Sequence, residues 1–260
     1  MSDQSMTGPS AIPPVQSITT DDLRAALRLG WRDFTAAPLF GLVFSTFYVL
    51  GGLVLYAVFV ASGQSWWFIP IAVGFPILAP FAATGLYEVS RRQEAGLALS
   101  WRAVLGCVMA QKDRQVPSMA MVIMLGFMFW VFVAHTIFAL FFGLQSITSS
   151  TGAMLLSGNG LTMLLVGGAI GGVIAAVFFA LTVVSLPLLL DKELDFITAM
   201  ITSVSTVTHN PKVMGIWAAL IAVVLFVAML PGFLGLFVAL PVLGHATWHL
   251  YRRVLPDDAG

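Results

Sequence analysis

The chain has 260 residues, of which 59% are hydrophobic and 9% charged, and its twelve basic and twelve acidic residues give a formal net charge of zero. Soluble domains average about 45–50% apolar and about 25% charged residues, so this much apolar surface must face lipid. Neutrality removes a nucleic-acid binder, and a single cysteine, Cys107, excludes an internal disulfide and a cysteine-based metal cluster.

Residues 1–19 are polar, hold three prolines and lack an apolar core, so they read as a disordered tail and not as a cleavable secretory signal. A leader follows, with an apolar stripe of Leu23, Leu27, Gly30 and Phe34 at helical spacing and Arg24, Arg28 and Arg32 opposite. Such an amphipathic helix is expected to lie in the membrane interface. Pro38 then opens a first span over 39–61, and a second covers 67–89. A second leader carries Trp101, Val104, Leu105 and Val108, and after Pro117 come spans over 117–144 and 161–190. A third leader carries Leu194, Ile197, Ile201 and Val204, and after Pro211 come spans over 213–230 and 233–251. Each run is near or above the roughly 20 residues that cross a bilayer core of about 30 Å.

The reading is an all-α membrane protein of six spans over residues 20–253, between the tail and a C-terminal tail over 254–260. It is built as three repeats of leader plus hairpin, about 20–92, 97–190 and 193–253. All twelve Lys and Arg fall in the N-terminal segment, in the connections after the second and fourth spans, or at the C-terminal end. The connections 62–66, 145–160 and 231–232 carry no charge. That asymmetry predicts cytoplasmic termini, and short loops without large soluble domains suit a bacterial inner membrane. Trp31, Arg32, Arg91, Arg92, Trp101, Trp248, Arg252 and Arg253 are the expected interface anchors.

Few residues could carry chemistry. His245 and His249 share a helix face at i and i+4, a spacing that can serve one metal, although no third ligand accompanies them. His135 falls about 27 Å past Pro117 along its span, too far from His245 to share an ion or a haem. His135 and Glu88, at the inner end of the second span, are the intramembrane polar candidates. Gly167, Gly168, Gly171 and Gly172 form overlapping small-xxx-small patterns, which predict that the fourth span is a central packing helix, within the bundle or between copies. No phosphate-cradling loop, nucleophile elbow or deep carboxylate pair occurs, so the expectation is a non-enzymatic protein without a cofactor. Two alternatives stand beside it. A transporter or channel would have a cavity lined by residues such as Thr46, Thr136, Thr182 and Ser185, and a haem or copper protein would use His245 and His249.

Three stretches carry a resemblance. They are 22–38 with Gly30-Trp31-Arg32-Asp33-Phe34, 85–101 with Leu86-Tyr87-Glu88 and Ser90-Arg91-Arg92, and 231–253 with its run from Gly244 through Trp248 and His249 to Arg253. Together they resemble a bacterial family of integral membrane proteins, domain of unknown function 2189. Its members are sometimes labelled cytochrome c oxidase subunits, but the catalytic subunit of that enzyme is a larger protein with more spans and more histidine ligands. The resemblance implies an accessory or assembly role beside a respiratory or other membrane complex, with the bilayer as the other partner.

Overall fold

The computed structural model describes residues 13–61, 80–111, 114–143 and 155–256, and every regular element in them is helical. α1 (Thr20–Ala36) opens on a capping box, in which Thr19 accepts from the Asp22 amide and Asp22 accepts from the Thr19 amide. It ends at Ala37, and Pro38 opens α2 (Pro38–Ala61). Proline suits a first helical turn because its missing N–H has no partner there anyway. The same device recurs. Ser100 caps α4 (Trp101–Ala110), and Pro117 sits in the first turn of α5 (Val116–Phe142). Asp195 caps α8 (Phe196–His209), and Pro211 opens α9 (Pro211–Met229). Ala37 and Asn210, at the two equivalent breaks, have nearly the same backbone angles (φ −142°, ψ 58° and φ −120°, ψ 50°).

The remaining elements are α3 (Pro80–Glu94), α6 (Gly158–Thr182), α7 (Ser185–Asp191) and α10 (Leu236–Val254). Four of the described segments are long and apolar enough to cross a membrane: most of α2, α5, α6 continued into α7, and α9. Of the expected second span, 67–79 lie outside the described residues, and the rest forms the start of α3. α6 and α7 together cover 34 residues with a break at Val183–Val184. At 1.5 Å per residue that is about 51 Å, well beyond a hydrocarbon core of about 30 Å. α7 therefore extends past the spans, where Ser185 to Leu190 are all buried in protein.

α10 is the hub, and α1, α2, α3, α7 and α9 all pack on it. Its residues 243–251 are buried without exception. α9 reaches it through a tight turn in which Gly232 and Phe233 both take positive φ, 62° and 67°. For phenylalanine that conformation is uncommon, and packing of its ring over Gly52 holds it there.

Four expectations change. Residues 13–19 are not a loose tail, because the Gln16 amide donates to Val254 O, the Ile18 amide donates to the Asn210 side chain, and Ile18 is buried. At the other end α10 runs on to Val254 and Leu255 is buried, so the first two residues of the expected C-terminal tail belong to the packed helix end, and 257–260 lie outside the described residues. The apolar stripe of α1 is spent on protein, not lipid, and Leu23, Ala26, Gly30 and Phe34 are buried, chiefly against α10. By contrast Ile197 and Ile201 on α8 and Leu105 on α4 stay exposed, as an interfacial helix requires. α6 is not central: it packs on α5 and α8, and most of its other face is uncovered.

Candidate functional site

α1, α3 and α10 meet at a buried polar junction centred on Asp33, which has no exposed surface. The His249 ring lies 2.6 Å from Asp33 Oδ2, and Arg32 donates to Oδ1 at 3.1 and 3.3 Å. On the α3 side the Ser90 hydroxyl lies 2.8 Å from His245 Nδ1 and adds to the polar surroundings of Asp33. Burial alone would raise the Asp33 pKa, but the hydrogen bonds of His249, Ser90 and Arg32 prevail and hold it below the ordinary carboxylate range. His245 Nε2 is buried and finds no partner in the protein.

The close approach of α1 and α10 depends on Gly30. A β-carbon there would come within 2.6 Å of the Ala246 amide nitrogen and 2.7 Å of the Val242 carbonyl. Around the junction the end of α10 is tied to acids on three other helices. Trp248 Nε1 donates to Glu94 at 2.9 Å, the Tyr251 hydroxyl to Asp191 at 2.7 Å and Arg253 to Asp22 at 2.7 Å. Arg252 lies between Glu94 and Asp191. A helix with polar groups on every side, as this one has after Gly244, cannot rest in lipid and needs such partners.

Glu88 forms a second centre on α3. Arg91 grips it through two hydrogen bonds of 2.7 and 3.0 Å, and Arg92 adds one of 3.1 Å. The carboxylate is fully buried while the arginines are partly exposed. Cys107 approaches the same carboxylate, and burial followed by the Glu88 charge pushes its thiol pKa up, away from reactivity. A third link, Arg114 to Glu193, joins the α4–α5 turn to the segment before α8.

The described residues also form a half-open apolar cavity of about 920 Å³. It lies between α6, with α5 beside it, on one wall and α2, α3, α9 and α10 on the other. Phe44, Tyr48, Tyr87, Trp130 and Phe178 line it, and so do all four glycines of the α6 motif. Gly171 sits under the Trp130 indole, and Gly167 approaches Ile137. A β-carbon on Gly168 or Gly172 would meet nothing within 4 Å, so among the described residues only half of the motif is packed.

The expected site residues thus divide. His245 and His249 are neighbours, but each is committed to a different partner. Among the described residues no group of three or more His, Cys, Asp or Glu is placed to hold a metal ion. Glu88 pairs with Arg91 and Arg92 as their spacing implied. His135 is half-buried on α5 and donates to its own helix at Val131 O. Trp31 is 52% exposed, and Trp101 stacks on Phe40 with ring centroids 4.1 Å apart, both at an outer surface. Trp248 is no interface anchor: it is buried, because its indole N–H finds a carboxylate inside the protein. Of the proposed channel lining, Thr182 borders the cavity. Thr46 is half-buried, Thr136 is exposed and Ser185 is buried, and each hydroxyl donates to its own helix. The acids Asp22, Glu94 and Asp191 were not singled out from the sequence, and their only signal there was an α10 segment too polar for lipid.

No curated protein and no solved structure matches the chain. A family model does match it over residues 68–191, and of the three stretches that carried the resemblance, 85–101 lies inside that match. Over those residues, just under half of its length, the chain is similar to DUF2189, a family described as predicted integral membrane proteins, and four described segments of the chain are long and apolar enough to span a bilayer.

Proposed function

We propose that the protein is a non-enzymatic accessory, assembly or scaffold component of a bacterial inner membrane, binding partner helices or lipids through its spans. It crosses the membrane six times with both termini in the cytoplasm, as three leader-plus-hairpin repeats. The observation that carries the reading is how its ionisable groups are used. Those at the end of α10 are spent on Asp22, Asp33, Glu94 and Asp191, which locks four helices into one platform. The spans, in contrast, leave long apolar faces uncovered, such as Phe47, Leu50 and Val54 on α2 and Met121, Leu125, Met128 and Phe132 on α5. The repeat draws support from the three capped leaders, each followed by a break and a proline. The compartment and the orientation rest on the basic residues and the family resemblance.

A transporter or channel is the second reading, and the cavity favours it. Its apolar walls suit no ion or polar solute, which ranks it below the first. The test is purification of the tagged protein in mild detergent, with mass spectrometry of its companions and a visible spectrum of the sample. A stoichiometric membrane complex is expected. A solitary, colourless protein would sink the accessory reading together with the haem version.

A further inference from the structure

Between the last turn of α1 and the connection from α3 to α4 lies a cleft of about 490 Å³, lined by Arg32, Ala36, Gln93, Gly96, Leu97 and Leu99. The connection is held in place as its wall. Gly96 takes a positive φ of 64°, the Leu97 amide donates to Arg92 O at 2.8 Å, and Arg92 Nε donates to Ala98 O at 3.2 Å. Leu99 and Ala37 both pack on the cluster of Phe40 and Val104, which ties this wall to the break between α1 and α2.

Two side chains bring polar atoms to the cleft, and both keep unused donors. The Arg32 side chain is 61% exposed, and its Nε and Nη2 donate to Asp33 Oδ1, which leaves Nη1 without a partner among the described residues. Gln93 Nε2 gives one proton to Asp33 O and has a second. One turn back on the same outer face, Arg28 is exposed and has no hydrogen-bond or ion-pair partner among the described residues. Arg102, three residues past Leu99, is exposed and equally unpaired. The acids of these helices are committed elsewhere: Asp33 to His249, Glu88 to Arg91 and Arg92, and Glu94 to Trp248 and Arg252. No Asp or Glu lines the cleft among the described residues. Its surplus of positive charge is complementary to an anion, and a guanidinium with a free edge suits a phosphate.

The level of the cleft in the fold selects the kind of anion. Ala36 lies two residues before Pro38, where the apolar span of α2 begins. Leu39 in the first turn of that span is uncovered, Trp31 is exposed, and the Trp101 ring stacks on Phe40. Aromatic rings and arginines at the start of a span mark the headgroup layer of a bilayer. Basic pockets at that depth meet lipid phosphates before any soluble ion.

We propose that this cleft binds the phosphate of an anionic glycerophospholipid. Arg32 Nη1 and the second Gln93 amide proton donate to the phosphate oxygens, Arg28 adds charge, and the acyl chains lie on the apolar surface that starts at Leu97 and Leu39. The proposal rests on the reading that the chain lies in a membrane and not on an accessory role. A solitary protein that prefers such a lipid would keep this site and lose that role.

The experiment compares full-length wild-type protein with Arg28→Gln, with the double variant Arg28→Gln, Arg32→Gln, and with Arg24→Gln, each in mild detergent. Arg24 shares the outer face of α1 but pairs with Asp21, about two turns from Arg32, so it reports the loss of a charge away from the cleft. Native mass spectrometry counts the phosphatidylglycerol and phosphatidylcholine retained from an equimolar mixture, and circular dichroism reports helix content. Wild type is expected to hold one phosphatidylglycerol, preferred about tenfold over phosphatidylcholine. Arg28→Gln should lower that preference several-fold, the double variant should abolish it, and Arg24→Gln should keep it. Equal retention of the two lipids by wild type overturns the proposal, and so does a preference that survives in a folded double variant. Equal losses in Arg24→Gln and Arg28→Gln would mean a diffuse charge effect, and displacement of the lipid by millimolar inorganic phosphate would mean a soluble ligand. Either overturns it too. If the double variant loses helix content, Arg28→Gln decides alone, because Arg28 has no partner within the described fold to lose.

Discussion

Asp33 is the residue on which the polar junction depends. It accepts from the buried His249 and from the more exposed Arg32 without exposed surface of its own, so replacing it leaves the His249 ring without its buried partner. Asp33→Asn is expected to cost about 3 kcal/mol, the scale for breaking a buried charged pair, read as a lower unfolding midpoint in detergent. The pH dependence follows from its lowered pKa. Its contribution is complete above the unfolded carboxylate value of about 4 and is lost as pH falls through the folded value. Wild type should therefore lose stability on acidification below about pH 4, and Asp33→Asn should lose less over the same range. Asp22 and Asp195, also held below the ordinary value, supply a remaining slope. An identical acid profile in both proteins would show that Asp33 is not held ionised by these partners. Gly30 is equally exacting for a steric reason. The atoms a β-carbon would strike, at 2.6–2.9 Å, are backbone atoms of α10 that cannot rotate aside. Gly30→Ala is expected to lift α1 at a cost of about 1–3 kcal/mol and to speed proteolysis of residues 13–36, and unchanged cleavage would remove this account of the crossing.

At the scale of elements, the three leaders have similar caps and different duties. α1 buries its stripe on α10, whereas α4 and α8 keep large apolar side chains exposed, so a common sequence pattern yields one structural brace and two surface helices. The pattern made the helices legible: apolar stripes at helical spacing mark the leaders, and Pro38, Pro117 and Pro211 mark the turns into the spans, while the caps at Thr19, Ser100 and Asp195 became visible in the structure. Neighbours in the chain also revealed themselves, as Glu88 with Arg91 and Arg92 at i+3 and i+4. The partner of His249 did not, because Asp33 is 216 residues away and nothing local encodes which helix meets which. The cavity was hidden for the same reason, since the glycines of α6 fit a packing seam as well as an open wall. Glu88 gives the element-scale prediction. Glu88→Gln keeps the shape but leaves Arg91 and Arg92 without their carboxylate, at an expected cost of about 2–3 kcal/mol. Arg91 and Arg92 are partly exposed and can turn to water, so the loss should be smaller than for Asp33→Asn, and thermal unfolding of the two variants side by side checks that order.

For the whole molecule, the distribution of charge orders the fold along one axis. The acid–base pairs described at α1, α3, α7 and α10 gather at one end of the bundle, and the long spans run away from it. A bilayer can accommodate that arrangement in one way only, with the charged platform in water and the spans in lipid. Lys and Arg collect on the cytoplasmic side of membrane proteins, so the platform and both termini should face the cytoplasm. The prediction separates cleanly because the chain has one cysteine, Cys107, which can be replaced by serine. In the Cys107→Ser background, Ser149→Cys falls in the uncharged connection after the third span, and Asp257→Cys falls beyond Arg253. A membrane-impermeant maleimide applied to whole cells should label Ser149→Cys and spare Asp257→Cys until the membrane is opened. The reverse pattern would invert the orientation. Equal labelling of both from outside would mean an even number of crossings between them instead of three, and the third hairpin would then need to be redrawn with α10 no longer returning to the side of α1.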